Sequence, residues 1–286
     1  MIQFRASSTQ GSHARSRATR CAFLGAAFLC VAGARPASAQ TAADSAHGAN
    51  TVFRRSDLRA ALTFAAAGVA LLPLDTRITS ALRAHPHGAG TTSFLNAVNH
   101  AAFPGAYVLG YSVYGLGLLS ASESVTRVGL YTATSVIASS HLTDALKGVV
   151  GRARPWAAAK SDEFNAGRGF SSGDWTSFPS GHATVAFAAA TAFVDGSRLA
   201  WPHEPRFVAP LAYGLATSVA VARVYGQAHW ASDVVAGAAV GTFTARFIVR
   251  EGHKHPGNLL EKIAVHGALG VDNRGRAMLG WRSQGQ

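Results

Sequence analysis

Between Ala101 and Leu119 the chain carries no charged residue, and the run is about as long as a bilayer core requires. Its glycines and tyrosines keep it only moderately apolar, so two folds accommodate it: a soluble Ala-rich helical domain, or a small membrane-embedded bundle. With 48% hydrophobic and only 14% charged residues, the composition admits both. The alternation that marks half-buried strands is nearly absent, and no internal repeat is found. Helical patterning recurs instead at Leu58–Leu74, which ends at Pro73 and Asp75, and at Ser124–Val150, stopped by Gly151 and Pro155. Three more helical segments are expected near His182–Phe193, Phe207–Val224 and Trp230–Val249. A length of 286 residues suits one domain better than two. The sequence therefore predicts an all-α bundle of about six helices over residues 57–250.

The ends have a different character. Arg5, Arg15, Arg17 and Arg20 precede the short apolar stretch Cys21–Ala34, and Ala37-Ser38-Ala39 forms a small-residue cleavage site. Residues 1–39 are expected to be a signal peptide, 40–56 a flexible lead and 251–286 a polar tail with a short strand around Ile263–Val271. Both cysteines, Cys21 and Cys30, lie in the leader, so the exported chain is expected to have no disulfide, thiol nucleophile or cysteine metal site. The formal net charge is +12; without the five leader arginines, 21 basic residues still face 14 acidic ones. Such a surplus suits phosphorylated substrates or anionic headgroups. No block of Lys and Arg interleaved with aromatics is present, so nucleic acid is not an expected partner.

Three clusters could carry chemistry. Lys147 and Arg154-Pro155 are seven residues apart, two turns on one helical face, where both cations could meet one anion. Taken singly, a basic helix end is an ordinary match to the helix dipole. Pro179-Ser180-Gly181-His182 runs straight into the apolar stretch Ala183–Val194. A helix N-terminus there offers free N–H groups to an anion, Gly181 permits close backbone approach, and His182 stands at the mouth. An ordinary serine cap is the alternative. In the third cluster Arg223 precedes His229 and Asp233, which would share a helical face, a carboxylate steadying an imidazole.

Taken together and in order, these clusters resemble the three-part signature of the type 2 phosphatidic acid phosphatase family, which shares its fold with bacterial acid phosphatases and vanadium haloperoxidases. The resemblance spans residues 147–233. It implies that His229 is a nucleophile forming a phosphohistidine, that Asp233 orients it, and that His182 acts as general acid and then base. Lys147, Arg154, Ser180, Gly181 and Arg223 would bind the phosphoryl oxygens. No metal or other cofactor is implied, with vanadate expected as an inhibitor. One position departs from the pattern, since Ala222 stands where the family usually has serine.

The implied activity is hydrolysis of phosphomonoesters or diphosphates, of lipids in a membrane setting. A vanadate-dependent haloperoxidase, with vanadate as cofactor on His229, and a catalytically silent scaffold are the alternatives. An exported location is expected, either in the inner membrane with an extracytoplasmic site or as a soluble periplasmic protein. A cleaved leader conflicts with three spans before an extracytoplasmic Lys147–Pro155, unless Leu58–Leu74 packs without crossing or nothing spans. His85-Pro86-His87 and His253-Lys254-His255 read as solvated loops, and His141 with Asp144 as a structural pair. Trp156, Phe170, Trp175 and Phe178 are expected to shape substrate access.

Overall fold

The computed structural model describes residues 54–84, 88–201, 203, 205–255, 267–271 and 277–281. The leader, most of the flexible lead and His85-Pro86-His87 therefore lie outside the described residues. Eight α-helices are present among those described: α1 (Arg55–Leu71), α2 (Asp75–Arg83), α3 (Ala89–Ala102), α4 (Gly105–Leu119), α5 (Glu123–Val150), α6 (Gly181–Ala200), α7 (Val208–Tyr225) and α8 (Ala231–Lys254). The expected all-α architecture stands, and the two extra helices, α2 and α3, extend the first two expected rods beyond their predicted bounds. Pro73 does not end the first one. It sits at the start of a single 3₁₀ turn, Leu72–Leu74, where its missing N–H goes unused, and α2 resumes at once. α3 and α4 form another rod, bent by 45° at Phe103-Pro104; the sequence reading had assigned no helix to the α3 portion before Ala101. In the tail, β1 (Gly267–Val271) pairs antiparallel with β2 (Ala277–Trp281), so the expected strand has a partner that the sequence reading lacked.

Helix ends follow local chemistry. Ser122 caps α5, its hydroxyl accepting from Val125 N–H at 3.5 Å. Gly151 closes it with φ +58, a conformation that favours glycine, and returns its N–H to the Lys147 carbonyl at 3.1 Å. α6 and α8 pack backbone to backbone. A Cβ on Gly237 would strike the Ser180 carbonyl, and one on Gly241 the Thr184 carbonyl. That contact holds the start of α6 against α8, next to the functional residues below.

The bundle has two polar ends. At one, Asp57 of α1 is buried and pairs with Arg246 at 3.2 Å and with Arg250, both on α8. At the other, Asp75 at the head of α2 reaches Arg152 and Ser232. The rod from Arg55 to Arg83 thus runs the height of the bundle. Between the ends the outer surface is apolar: Val69 on α1 is 67% exposed and Leu211 on α7 is 70% exposed. Arg55–Arg83, Val208–Tyr225 and Ala231–Lys254 are long and apolar enough to cross a membrane, and the bent α3–α4 pair makes a fourth. The chain is a membrane protein.

Candidate active site

At the Asp75 end a cleft of about 330 Å³ opens between the end of α5, the start of α6, the end of α7 and the turn before α8. Lys147, Arg154, Gly181, His182, Arg223 and His229 all line it, so the three clusters converge. The reason for the first convergence differs from the one the sequence suggested. α5 ends at Val150, so Arg154 lies on a loop and not on the helical face of Lys147. It is aimed by other contacts: its guanidinium donates to the Ala228 carbonyl at 3.0 Å and to Thr176 Oγ1 at 3.0 Å, and stacks over Trp156 at 4.8 Å.

His229 is 2% exposed, and its Nδ1 lies 2.7 Å from the Ser177 carbonyl. A carbonyl can only accept, so Nδ1 carries the proton and Nε2 keeps its lone pair. Nε2 stands 3.5 Å from an Arg154 nitrogen, on the cleft side. The expected direct partner, Asp233, is 3.9 Å from Nδ1, beyond hydrogen-bond length. This corrects the reading of a shared helical face, because α8 begins at Ala231 and His229 precedes it. Asp233 instead caps the helix, accepting from Trp230 N–H at 2.9 Å, and accepts from Ser177 Oγ at 2.5 Å. It therefore acts on His229 at one remove, by holding the residue whose carbonyl holds the ring.

Ser180 occupies the N-cap position of α6 but makes no side-chain cap bond. Its Oγ is buried with no hydrogen-bond partner among the described residues, and the same holds for Arg223 Nε. Ser135 and Thr242 elsewhere in the bundle are left over in the same way, but Ser180 and Arg223 belong to the second and third clusters, where an anion would satisfy both. Gly181 lines the cleft at the first turn of α6, and a Cβ there would sit 3.0 Å from Lys147 Nζ, the mobile end of that side chain. Ser180 is fully buried behind it and is not among the cleft-lining residues. Ala222 is 1% exposed within the apolar core, so the place where the family usually carries a hydroxyl is here filled by hydrocarbon packing.

Burial lowers both histidines, and the cations add to it. His229 falls to about 4, through burial first and then Arg154 and Arg223, with Asp233 opposing. His182, at the mouth of α6 ahead of its apolar stretch, falls to about 3 through burial, then Arg223, His229 and Lys147. Both rings are neutral at pH 7 while the cleft has no anion in it. Burial also lowers Arg154, with Asp233 and Asp174 opposing.

Several contributors were not singled out in the sequence. Phe103 lines the cleft and meets the His182 ring edge-on at 4.9 Å. Asp144, read as structural, lines it too and pairs with Lys147 at 3.6 Å, whereas His141 is exposed. Beneath His229 lies a buried chain of Asp75, Arg152, Ser232 and Asp233. Arg152 followed by Arg154 just past a helix-ending glycine was a sequence signal, as was Asp75 beside an apolar run. None of the four aromatics expected at the access route is among the cleft-lining residues; Trp156 braces Arg154 and Phe170 packs on Gly148. His253 and His255 are exposed at the end of α8, and among the described residues no three His, Cys, Asp or Glu side chains gather as a metal site.

Residues 128–255 match the family described as the PAP2 superfamily. That stretch is a PAP2 domain. The match begins within α5 and ends just past α8, so it takes in all three clusters. The chain is 32% identical over 132 residues to a lipid A 1-phosphatase of Porphyromonas gingivalis, covering 46% of this chain and 25% of that one. It is 37% identical over 124 residues to a lipid A 1-phosphatase of Rhizobium etli, covering 41% and 47%. The chain thus spans between a quarter and a half of the length of these relatives. Among solved structures it is similar to a transmembrane PAP2-type phosphatidylglycerolphosphate phosphatase from Bacillus subtilis, at 20% identity and a TM-score of 0.36, covering 67% of this chain and 98% of that one.

Proposed function

We propose that the chain is a metal-independent phosphatase of lipid phosphomonoesters, acting through a phosphohistidine on His229. The observation that carries this reading is the lone pair of His229 Nε2, presented to a cleft ringed by Lys147, Arg154 and Arg223. The relatives named as lipid A 1-phosphatases support a lipid substrate with its phosphate on a headgroup.

The phosphoryl oxygens enter the cradle of three cations, the Ser180 hydroxyl and the Gly181 N–H. Nε2 attacks phosphorus, forming the P–N bond as the bond to the leaving oxygen breaks, and His182 gives that oxygen a proton. Burial first, and then the cations, hold His182 neutral; a dianion in the cradle reverses the local field and opposes both, so His182 gains its proton as substrate binds. In the second step water attacks phosphorus and passes a proton to His182, and the P–N bond returns its electrons to Nε2. Three fixed cations match the equatorial charge of the transition state. The same groups suit vanadate, which is expected to inhibit.

We also place the site on the extracytoplasmic side. Three rods, Arg55–Arg83, the α3–α4 pair and α5, run between the two ends before the site is reached, so Arg54 then lies on the cytoplasmic side. A leader cleaved after Ala39 would put Arg54 on the other side, so this placement requires the leader to stay attached. Labelling of single cysteines introduced at Arg59 and Lys160, in a chain lacking Cys21 and Cys30, distinguishes the two arrangements.

The activity test is phosphate release by the full chain in mild detergent with EDTA. The substrates are p-nitrophenyl phosphate, phosphatidate and a lipid A 1-phosphate, with His229→Ala as control. EDTA-resistant release of lipid phosphate that vanadate blocks, together with a phosphoprotein stable to alkali and labile to acid, supports the reading. Release that persists in the control would refute it.

A further inference from the structure

Behind the nucleophile lies a charged chain that the hydrolysis scheme does not use. Arg152 is 1% exposed and bridges two buried carboxylates from opposite ends of the sequence: Asp75 at 2.9 Å and Asp233 at 2.5 Å. It also donates to Ser232 Oγ at 2.7 Å and to the Ser161 carbonyl at 2.7 Å and 2.9 Å. Asp75 receives the Ser232 N–H at 2.9 Å and the Ser232 hydroxyl at 2.5 Å. From Asp233 the chain continues to Ser177 Oγ, and the Ser177 carbonyl accepts the His229 Nδ1 proton at 2.7 Å.

Stability alone does not account for it. Removing an arginine and two carboxylates from water is costly, and apolar side chains of similar volume generally hold helices together at least as well. What apolar packing cannot do is fix a carboxylate, and through it a backbone carbonyl, in one orientation. Only one of the carboxylates belongs to the third sequence cluster, and Asp75 lies on the first rod.

We propose that Asp75 and Arg152 are positioning residues for His229, holding Asp233 and Ser177 so that the imidazole keeps its Nδ1 proton on the Ser177 carbonyl and its Nε2 toward phosphorus. This rests on the phosphohistidine reading above. Neither residue lines the cleft, so each acts on the attack and not on phosphate binding. Misplacing a nucleophile by about 1 Å costs on the order of 100-fold in rate.

The experiment compares wild-type full-length protein with Asp75→Asn, Arg152→Lys and Thr76→Ala in detergent. Thr76 is the control. Its hydroxyl meets Ser161 Oγ at 3.0 Å and accepts the Ser161 N–H at 3.2 Å; Ser161 lends Arg152 a carbonyl, but the bonds of Arg152 to Asp75 and Asp233 do not pass through it. Folded protein is quantified by size exclusion and melting. Then kcat, KM, and inhibition by inorganic phosphate and by vanadate are measured. Phosphate needs only the cradle, whereas vanadate also needs Nε2 in place.

The expected result for Asp75→Asn and Arg152→Lys is kcat per folded molecule lower by about 10- to 100-fold. KM and phosphate inhibition should stay within about threefold of wild type and vanadate inhibition should weaken at least tenfold, while Thr76→Ala behaves as wild type. Unchanged kcat, or phosphate and vanadate weakened in parallel, overturns the proposal. So does failure of both variants to fold while Thr76→Ala folds, which would make the chain a clamp for the fold alone. If wild type hydrolyses substrate but forms no acid-labile phosphoprotein, the phosphohistidine reading fails instead, and that arm is read before any variant.

Discussion

Ser180→Ala sets a cap against a ligand-binding hydroxyl, because the two roles predict opposite signs. A working serine cap lost to alanine costs roughly 0.5–2 kcal/mol of stability. Here the hydroxyl caps nothing and is buried without a partner, while the Ser180 N–H donates to the Asp233 carbonyl at 3.0 Å and survives the change. An orphaned buried polar group costs about 1–3 kcal/mol, so its removal should leave stability equal or higher. For a domain of this size that is a melting temperature unchanged or raised by up to about 6–12 °C, at roughly 2–4 °C per kcal/mol. Catalysis should move the other way. A hydrogen bond to a charged oxygen contributes about 1.5–3 kcal/mol, so kcat/KM for p-nitrophenyl phosphate should fall about 10- to 150-fold. Melting in detergent and initial rates on the same preparation measure both. A variant that melts lower and hydrolyses normally would refute the reasoning and return Ser180 to an ordinary cap.

Other outcomes can be stated briefly. His229 is neutral when folded down to about pH 4 but takes a proton near pH 6.5 when unfolded. Its contribution to stability is therefore complete above about 6.5 and is lost as pH falls toward 4, and His229→Gln should flatten that slope in melting curves. The acid limb of kcat/KM should lie near pH 4 if His229 is the nucleophile; a limb near 6.5 would contradict its burial. Asp144→Asn removes an exposed carboxylate 3.6 Å from Lys147 and should tighten inhibition by inorganic phosphate by at most about fivefold. Gly241→Ala drives a methyl into the Thr184 carbonyl and should destabilise the protein by about 1–3 kcal/mol, seen as a lower melting temperature. Ala222→Ser inserts a hydroxyl into the core and should cost stability without raising kcat.

Much of the fold was legible because helices are local objects. A cap at Ser122, a stop at Gly151 and apolar stretches of helical length are written in neighbouring residues, and so is the opening of α6 at Ser180-Gly181. Misreadings arose where a local rule had two outcomes. Pro73 ends a helix or begins one, and only the packing of α1 and α2 along one rod decides between them. The strand at β1 was anticipated, but its partner β2 was not, because pairing joins segments that carry no mark of each other.

The same division runs through the site. By itself the sequence determined which groups would line the cleft, since Lys147, Arg154, His182, Arg223 and His229 appear at spacings that short-range geometry constrains. It could not show that Arg154 approaches from a loop, or that His229 leans on a backbone carbonyl with Asp233 at one remove. Nor could it show that Asp75 and Arg152 complete the support from behind. Those contacts join residues as far apart as 75 and 233, and they exist only once burial has removed water from around them. Helical spacing operates over a few residues, but the pairing of buried charges depends on which surfaces the whole bundle brings together, and that is decided by the tertiary structure alone.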